Sequence, residues 1–245
     1  MVKRAWRVVG RYLYVAVRIL WLFTFGILSK RQRSMLYRIC ALLGYLPVRT
    51  AIPKVSLREV IPAGMVLEIY DPLAAAGTVS LTELTAIASL IQSRRPDRLL
   101  EIGTLDGRTT LNMAASAGPS AQVYTLDLPE VQSSGARFAS AAGDGPAGRI
   151  VQLYGDSAKF DFSPFYGALD FIFIDADHSY DYVLSDSRQA IRLLRNGRGT
   201  IVWHDYDSWD WEGTTQALNQ LYSEGQEFGE LRHIEGTSLV YLTLD

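Results

Sequence analysis

The stretch DFIFIDADHSYDYV, residues 170–183, decides how the chain is read. Phe171-Ile172-Phe173-Ile174 is an uninterrupted apolar run, and it ends on Asp175, Asp177 and His178. A short apolar run bounded by polar residues is the mark of a strand buried on both faces. Any one of the three polar side chains would be costly to bury alone. The cluster is therefore either a solvated strand end or a site that holds something. A helical pattern over Tyr180–Arg195 follows at once, so the stretch reads as strand, polar turn, helix.

The same unit repeats on either side. RLLEIG (98–103), QVYTLDL (122–128), RIVQLYGD (149–156), ALDFIFID (168–175) and GTIVWHD (199–205) read as strands. Helical patterns lie over 80–93, 107–117, roughly 130–141, 180–195 and about 210–224, the first opening on Ser80 or Thr82 with Glu83. ELRHI (230–234) and TSLVYLTL (237–244) read as a closing hairpin through Glu235-Gly236. Strand and helix in alternation predict an α/β fold with a mostly parallel sheet covered on both faces. Ligands of such sheets sit at the carboxyl ends of the strands, near the switch point. Those ends carry Glu101–Gly103, Asp127, Asp156, Asp175–His178 and His204–Asp205, so all five are acidic.

The net charge of −2 hides a division of the chain. Residues 1–58 contain twelve Lys/Arg and no Asp or Glu, whereas the remaining 187 residues carry 12 basic and 26 acidic side chains. The division predicts a basic, apolar helical segment over 1–58 ahead of an acidic domain over 59–245. Residues 12–28, YLYVAVRILWLFTFGIL, are apolar except for Arg18. With Lys3, Arg4, Arg7, Arg11, Lys30, Arg31 and Arg33 around it, the segment suits an anionic membrane interface. Residues 1–48 are thus expected to bind a membrane surface, with the domain on its cytoplasmic side. A spanning anchor, and a helical cap on the domain or on a second subunit (a homo-oligomer), are the alternatives. Ser29-Lys30-Arg31 does not resemble a signal-peptide cleavage site. The apolar content argues against a free nucleic-acid-binding arm. The lone Cys40 excludes an internal disulfide framework.

At the first strand end, LLEIGTLDGRTT (99–110) places Gly103 for a tight turn and close approach of a ligand, and Gly107 where a helix starts against the strand. The G-x-G-x-x-G spacing of a pyrophosphate site is missing, and Asp106 stands where an anion would approach. The ligand favoured is cationic or zwitterionic. Asp127 can accept ribose hydroxyls, and Asp156 with Ser157 can face an adenine edge. EIGTLDGRTT, YTLDL, YGDS, DFIFIDADHSYDYV and GTIVWHDY, in that order, resemble a class I S-adenosylmethionine-dependent methyltransferase over residues 80–245. The resemblance implies a Rossmann-like seven-stranded sheet with a reversed final strand. It also implies that Glu101, Gly103 and Thr104 meet the methionine end of the cofactor, with Gly107 in the same loop, Asp127 the ribose, and Asp156 and Ser157 the adenine.

Asp175, Asp177, His178, His204 and Asp205 end two strands expected to be neighbours, a set suited to a divalent ion such as Mg²⁺, Mn²⁺ or Ca²⁺. His204 adds a ligand softer than magnesium prefers. The pattern is similar to the metal-dependent O-methyltransferases of small molecules and sugars. That resemblance implies Asp175 and Asp205 as ligands with His204 beside them, and His178 as general base. His204 stands where relatives often carry a carboxylate, and Tyr206 where catechol-type relatives carry Asn. Tyr206, Trp209 and Trp211, and the aromatics of 160–167, offer flat faces to an acceptor or pack the fold. The expected function is O-methylation of a hydroxyl on a glycan, glycolipid or secondary metabolite, assisted by Mg²⁺ or Mn²⁺. A metal-independent N- or carboxyl-methyltransferase, and a non-catalytic scaffold, are the rivals.

Overall fold

A computed structural model of the chain describes residues 2–25, 29–43, 49–73, 78–129, 138 and 145–245. The chain divides into two compact units, Met1–Arg49 and Thr50–Asp245. The first contains α1 (Val2–Phe25) and α2 (Lys30–Leu42). On α1, Leu13, Val17, Leu20 and Phe23 are exposed, and the Arg18 guanidinium donates to the Tyr14 hydroxyl at 3.1 Å. No described helix is long and apolar enough to cross a membrane.

The second unit runs β1 (Lys54–Val55), α3 (Leu57–Val60), α4 (Leu81–Arg94), β2 (Arg98–Ile102), α5 (Arg108–Ser116), β3 (Gln122–Asp127), β4 (Ile150–Tyr154), β5 (Phe171–Ile174), α6 (Tyr180–Leu193), β6 (Gly199–Trp203), α7 (Glu212–Glu224), β7 (Arg232–Ile234) and β8 (Val240–Leu244). The strands form one sheet in the order β1-β7-β8-β6-β5-β2-β3-β4. Pairing is parallel except where β8 lies between β6 and β7. The chain steps from β2 outward to β3 and β4, then returns to place β5 on the other side of β2. The switch point is therefore between β2 and β5. The helix expected over 130–141 falls almost wholly outside the described residues.

The apolar runs are continuous because both faces are covered. Leu100, Ile102, Ile172, Ile174, Ile201 and Trp203 pack with Val183 and Leu184 of α6 and Leu218 and Leu221 of α7. Leu99, Phe171, Phe173 and Val202 pack with Leu84, Ile87 and Ile91 of α4 and Met113 of α5. All four residues of β5 are buried, each worth roughly 1.5–3 kcal/mol of transfer free energy. The α4 start is a capping box: Ser80 Oγ accepts from the Glu83 amide, and the Glu83 carboxylate accepts from the Ser80 amide.

The sheet has eight described strands rather than the seven expected. Two-residue β1 pairs parallel with β7 through His233 N to Pro53 O and Glu235 N to Val55 O, both 2.9 Å. So short a strand has no periodicity to read; it exists because β7 offers it an edge. The compact second unit begins at Thr50. The Tyr206 hydroxyl, buried in the second unit, accepts from the amides of Ala51 and Ile52 at 3.0 and 3.2 Å. Residues 50–58 thus belong to the domain although their charge matches the tail.

Candidate active site

The loops at the carboxyl ends of β2 to β6 enclose a cleft of about 460 Å³ at the switch point. It is lined by Gly103 and Leu105 after β2, Asp127 at the end of β3, Asp156 and Ser157 after β4, Asp175–His178 after β5, Asp205 after β6, and Tyr182 and Trp211. Of the residues expected to meet a cofactor, Gly103, Asp127, Asp156 and Ser157 line this cleft.

Each is held by local chemistry. The Asp127 carboxylate accepts from the Leu105 and Leu128 amides, both at 2.7 Å, which ties the end of β3 to the loop after β2. Asp156 Oδ1 accepts from the Ala158 amide and the Tyr182 hydroxyl, both at 3.0 Å. Ser157 donates to Asp186 at 3.2 Å. Gly103 has φ +103, and a Cβ there would lie 2.2 Å from the Asp175 carbonyl oxygen. The glycine is required by the backbone after β5, not only by a ligand.

Glu101, Thr104 and Gly107 do not line the cleft. Glu101 is fully buried and pairs in register with Thr125 of β3, so its side chain points to the face covered by α5. There it accepts from Thr125 at 2.7 Å and from Thr110 of α5. Burial pushes its carboxyl up to about 8; the two threonine hydroxyls counter this in part, and Asp175 and Asp127 add to it. Thr104 is buried against Thr125 and Gln152, and Gly107 is the left-handed residue ahead of α5. Asp106 accepts from the Arg108 amide at 3.0 Å, within that same turn.

The polar cluster assembles as its sequence positions suggest. One donor atom each of Asp175, His204 and Asp205 lies within 4.8 Å of the others. His204 Nδ1 is 3.1 Å from Asp175 Oδ1 and 3.5 Å from Asp205 Oδ2. His178 Nε2 is 2.9 Å from Asp205 Oδ2 and 3.4 Å from Asp175 Oδ1, yet this buried nitrogen has no hydrogen bond of acceptable geometry. Burial works against charge on both imidazoles, but Asp175 and Asp205 outweigh it. His178 is held up at about 9, and His204 well above the ordinary histidine value. Burial would raise Asp205, but His178 and His204 draw it down to about 2. Asp205 has φ +61, a left-handed conformation that Asp tolerates better than most residues. Asp177 accepts from the Ser179 amide at 2.7 Å ahead of α6. A Cβ on Gly213 would meet the His178 carbonyl oxygen at 2.5 Å, so the first turn of α7 packs directly on this loop.

The aromatic residues divide. Trp211 stacks on His178 with centroids 4.4 Å apart and 21° between planes, and forms cleft wall. Tyr206 is 1% exposed and donates to Asn219 at 2.6 Å, so it is core rather than wall or ligand. Trp209 and residues 160–167 do not line the cleft, and Phe162 is buried in the core.

Three site residues are not evident from the strand ends. Tyr182 lies in the first turn of α6, and Leu105, at φ +49, supplies the amide that fixes Asp127. Glu83 is visible in sequence only as a capping residue. In the structure it is 3.4 Å from His204 Nε2.

The comparisons agree with this geometry. Residues 100–206 match the family described as "Methyltransferase domain". The second unit has the Rossmann-like fold of the methyltransferases, and the match to that domain spans β2 to the end of β6. It is 34% identical over 119 residues to the catechol O-methyltransferase of Mycobacterium tuberculosis, covering 49% of this chain and 51% of that protein. It is 27% identical over 141 residues to the protein-L-isoaspartate O-methyltransferase of Ignicoccus hospitalis, covering 54% and 65%. The chain thus spans about half to two thirds of these relatives' lengths. Among solved structures, cofactor-bound Rv0187 from MTB superposes with a TM-score of 0.55 at 25% identity, over 69% of this chain and 83% of that one. The fold of the Streptomyces achromogenes O-methyltransferase TomG, solved in complex with SAM, superposes with a TM-score of 0.52 at 19% identity, over 69% and 82%.

Proposed function

We propose that the methyltransferase domain transfers a methyl group from S-adenosylmethionine to a hydroxyl of a small molecule or glycan, with a divalent ion, Mg²⁺ or Mn²⁺, at Asp175, His204 and Asp205. The observation that carries this reading is the convergence of Asp127, Asp156, Asp175, His178 and Asp205 on one cleft at the sheet's switch point. Bound S-adenosylmethionine supplies an electrophilic methyl on a sulfonium; the acceptor oxygen takes the methyl, the sulfur becomes a neutral thioether, and the hydroxyl proton must leave. Asp127 suits the ribose and Asp156 with Ser157 the adenine, because each presents oxygen acceptors or a hydroxyl at the cleft wall.

His178 is the group placed to take the proton. With Asp175 and Asp205 both facing it, its ring is held protonated at neutral pH, so a base role needs their charge engaged elsewhere. The residues fit an ion: two carboxylates and an imidazole nitrogen converge within 4.8 Å of one another. A divalent ion there would neutralise the two carboxylates and lower the pKa of a hydroxyl it contacts. Trp211, flat and stacked on His178, suits the face of a sugar or aromatic ring.

Residues 1–48 would hold the enzyme at the cytoplasmic surface of a membrane, which favours a glycolipid or other membrane-associated acceptor. Positions 4, 7, 11 and 18 share one side of α1, which is the pattern of a helix lying in the interface. The test is calorimetry on the full chain, then turnover on catechol and sugar hydroxyls. S-adenosylhomocysteine should bind and NAD should not, and Asp127→Ala should weaken S-adenosylhomocysteine at least about tenfold, or 1.4 kcal/mol. His178→Gln should keep that affinity and lose turnover, and a chelator should abolish turnover reversibly. Binding of NAD alone would overturn the reading, and full activity in chelator would leave a metal-independent enzyme.

A further inference from the structure

The His204 ring has a carboxylate on each side. Its Nδ1 faces Asp175 and Asp205 at 3.1 and 3.5 Å; its Nε2 faces Glu83 Oε2 at 3.4 Å, and the residue is 7% exposed. Glu83 cannot move freely to serve another role. Its Oε2 also accepts from the Ser80 amide at 2.8 Å, and its Oε1 accepts from the Ser238 amide and hydroxyl, both at 2.8 Å. The carboxylate is thus fixed between the start of α4 and the residues just ahead of β8, 121 residues from the imidazole it faces. The other end of the ring faces a converging donor set. One ligand atom each of Asp175, His204 and Asp205 lies within 4.8 Å of the others, and His178 Nε2 approaches the same two carboxylates at 2.9 and 3.4 Å.

An imidazole whose far N–H is held by a fixed carboxylate presents its near nitrogen as a donor, which is the usual support for a metal-bound histidine. Nitrogen donors favour first-row transition ions, whereas Mg²⁺ prefers an all-oxygen set. We propose that Glu83 is a positioning residue that fixes His204 Nδ1 as a nitrogen donor beside Asp175 and Asp205, so that the site takes Mn²⁺ in preference to Mg²⁺. This rests on the metal-assisted reading above and assigns to Glu83 a role beyond capping α4.

The test is metal binding to the full chain with Mn²⁺ alone and Mg²⁺ alone, read by electron paramagnetic resonance and calorimetry. Wild-type protein should bind Mn²⁺ at least tenfold tighter than Mg²⁺, and pulsed spectra should show coupling to an imidazole nitrogen. His204→Asp should abolish that coupling and lower the Mn²⁺ to Mg²⁺ preference at least tenfold. Glu83→Ala should weaken Mn²⁺ about 10- to 100-fold, and Glu83→Gln, which can still accept from His204, should recover part of the loss. Binding of S-adenosylhomocysteine serves as the control for folding; where a Glu83 variant loses it, His204→Asp decides. Absence of nitrogen coupling in the wild type, equal affinity for the two ions, or a Glu83→Ala protein that binds Mn²⁺ normally overturns the proposal. If S-adenosylhomocysteine binds while any of these is found, the methyltransferase reading stands and only the role of Glu83 falls.

Discussion

Asp186 offers a quantitative test of how the cleft is supported. It lies on α6, is 1% exposed, accepts from Ser157 at 3.2 Å, and has one carboxylate oxygen with no hydrogen bond. Burial pushes its carboxyl up from 3.8 to about 6; the Ser157 hydroxyl opposes this, and Asp156 and Asp177 add to it. Because the folded value is raised, the folded state holds the proton more tightly than the unfolded chain. Below pH 3.8 both states are protonated and nothing is lost. Between about 4 and 6 the unfolded state ionises while the folded state does not, so stability falls as pH rises. Above 6 the full penalty applies. A shift of about two pH units corresponds to roughly 3 kcal/mol, a large part of a typical 5–15 kcal/mol. Asp186→Asn mimics the protonated group and has no charge to lose. Urea denaturation of both proteins at pH 4 and pH 8 should give similar stabilities at pH 4 and a variant about 3 kcal/mol more stable at pH 8. Distant groups cancel in the difference. Parallel pH profiles for the two proteins would refute the reasoning, because Asp186 would then be ionised or solvated in the fold.

Two further outcomes follow from the structure. Gly103→Ala puts a Cβ against the Asp175 carbonyl at positive φ; strain and overpacking together should cost roughly 2–5 kcal/mol, lower the melting temperature by about 5–15 °C and weaken S-adenosylhomocysteine binding. A variant that melts within 2 °C of wild type (less than about 1 kcal/mol) counts against the close approach of β2 and β5. The full chain should sediment with vesicles of anionic phospholipid and far less with zwitterionic ones, whereas a chain lacking residues 1–48 should stay in solution with its S-adenosylhomocysteine affinity intact; equal sedimentation of the two would remove the membrane role of the segment.

The sheet and the chemistry at its rim are written along the chain. Strands buried on both faces must be written as unbroken apolar runs, so β2 to β6 are readable, and each run has to stop where the chain meets water. The residues at those stops, among them Asp127, Asp156, Asp175, His178 and Asp205, are therefore legible along the chain as one rim. The tertiary structure alone decided which way each side chain turns and what distant residue it meets. Glu101 sits at a strand end like the others, yet the alternation of the strand aims it under α5. Tyr206 follows β6 as an apparent rim residue, yet it is drawn into the core to hold residues 51 and 52. β1 has two residues and no pattern, and owes its existence to the edge of β7. Glu83 reads as a helix cap, and only the fold brings it to His204. A period along a chain encodes which face is buried; the partner across a packed interface depends on the whole fold, and no local pattern carries it.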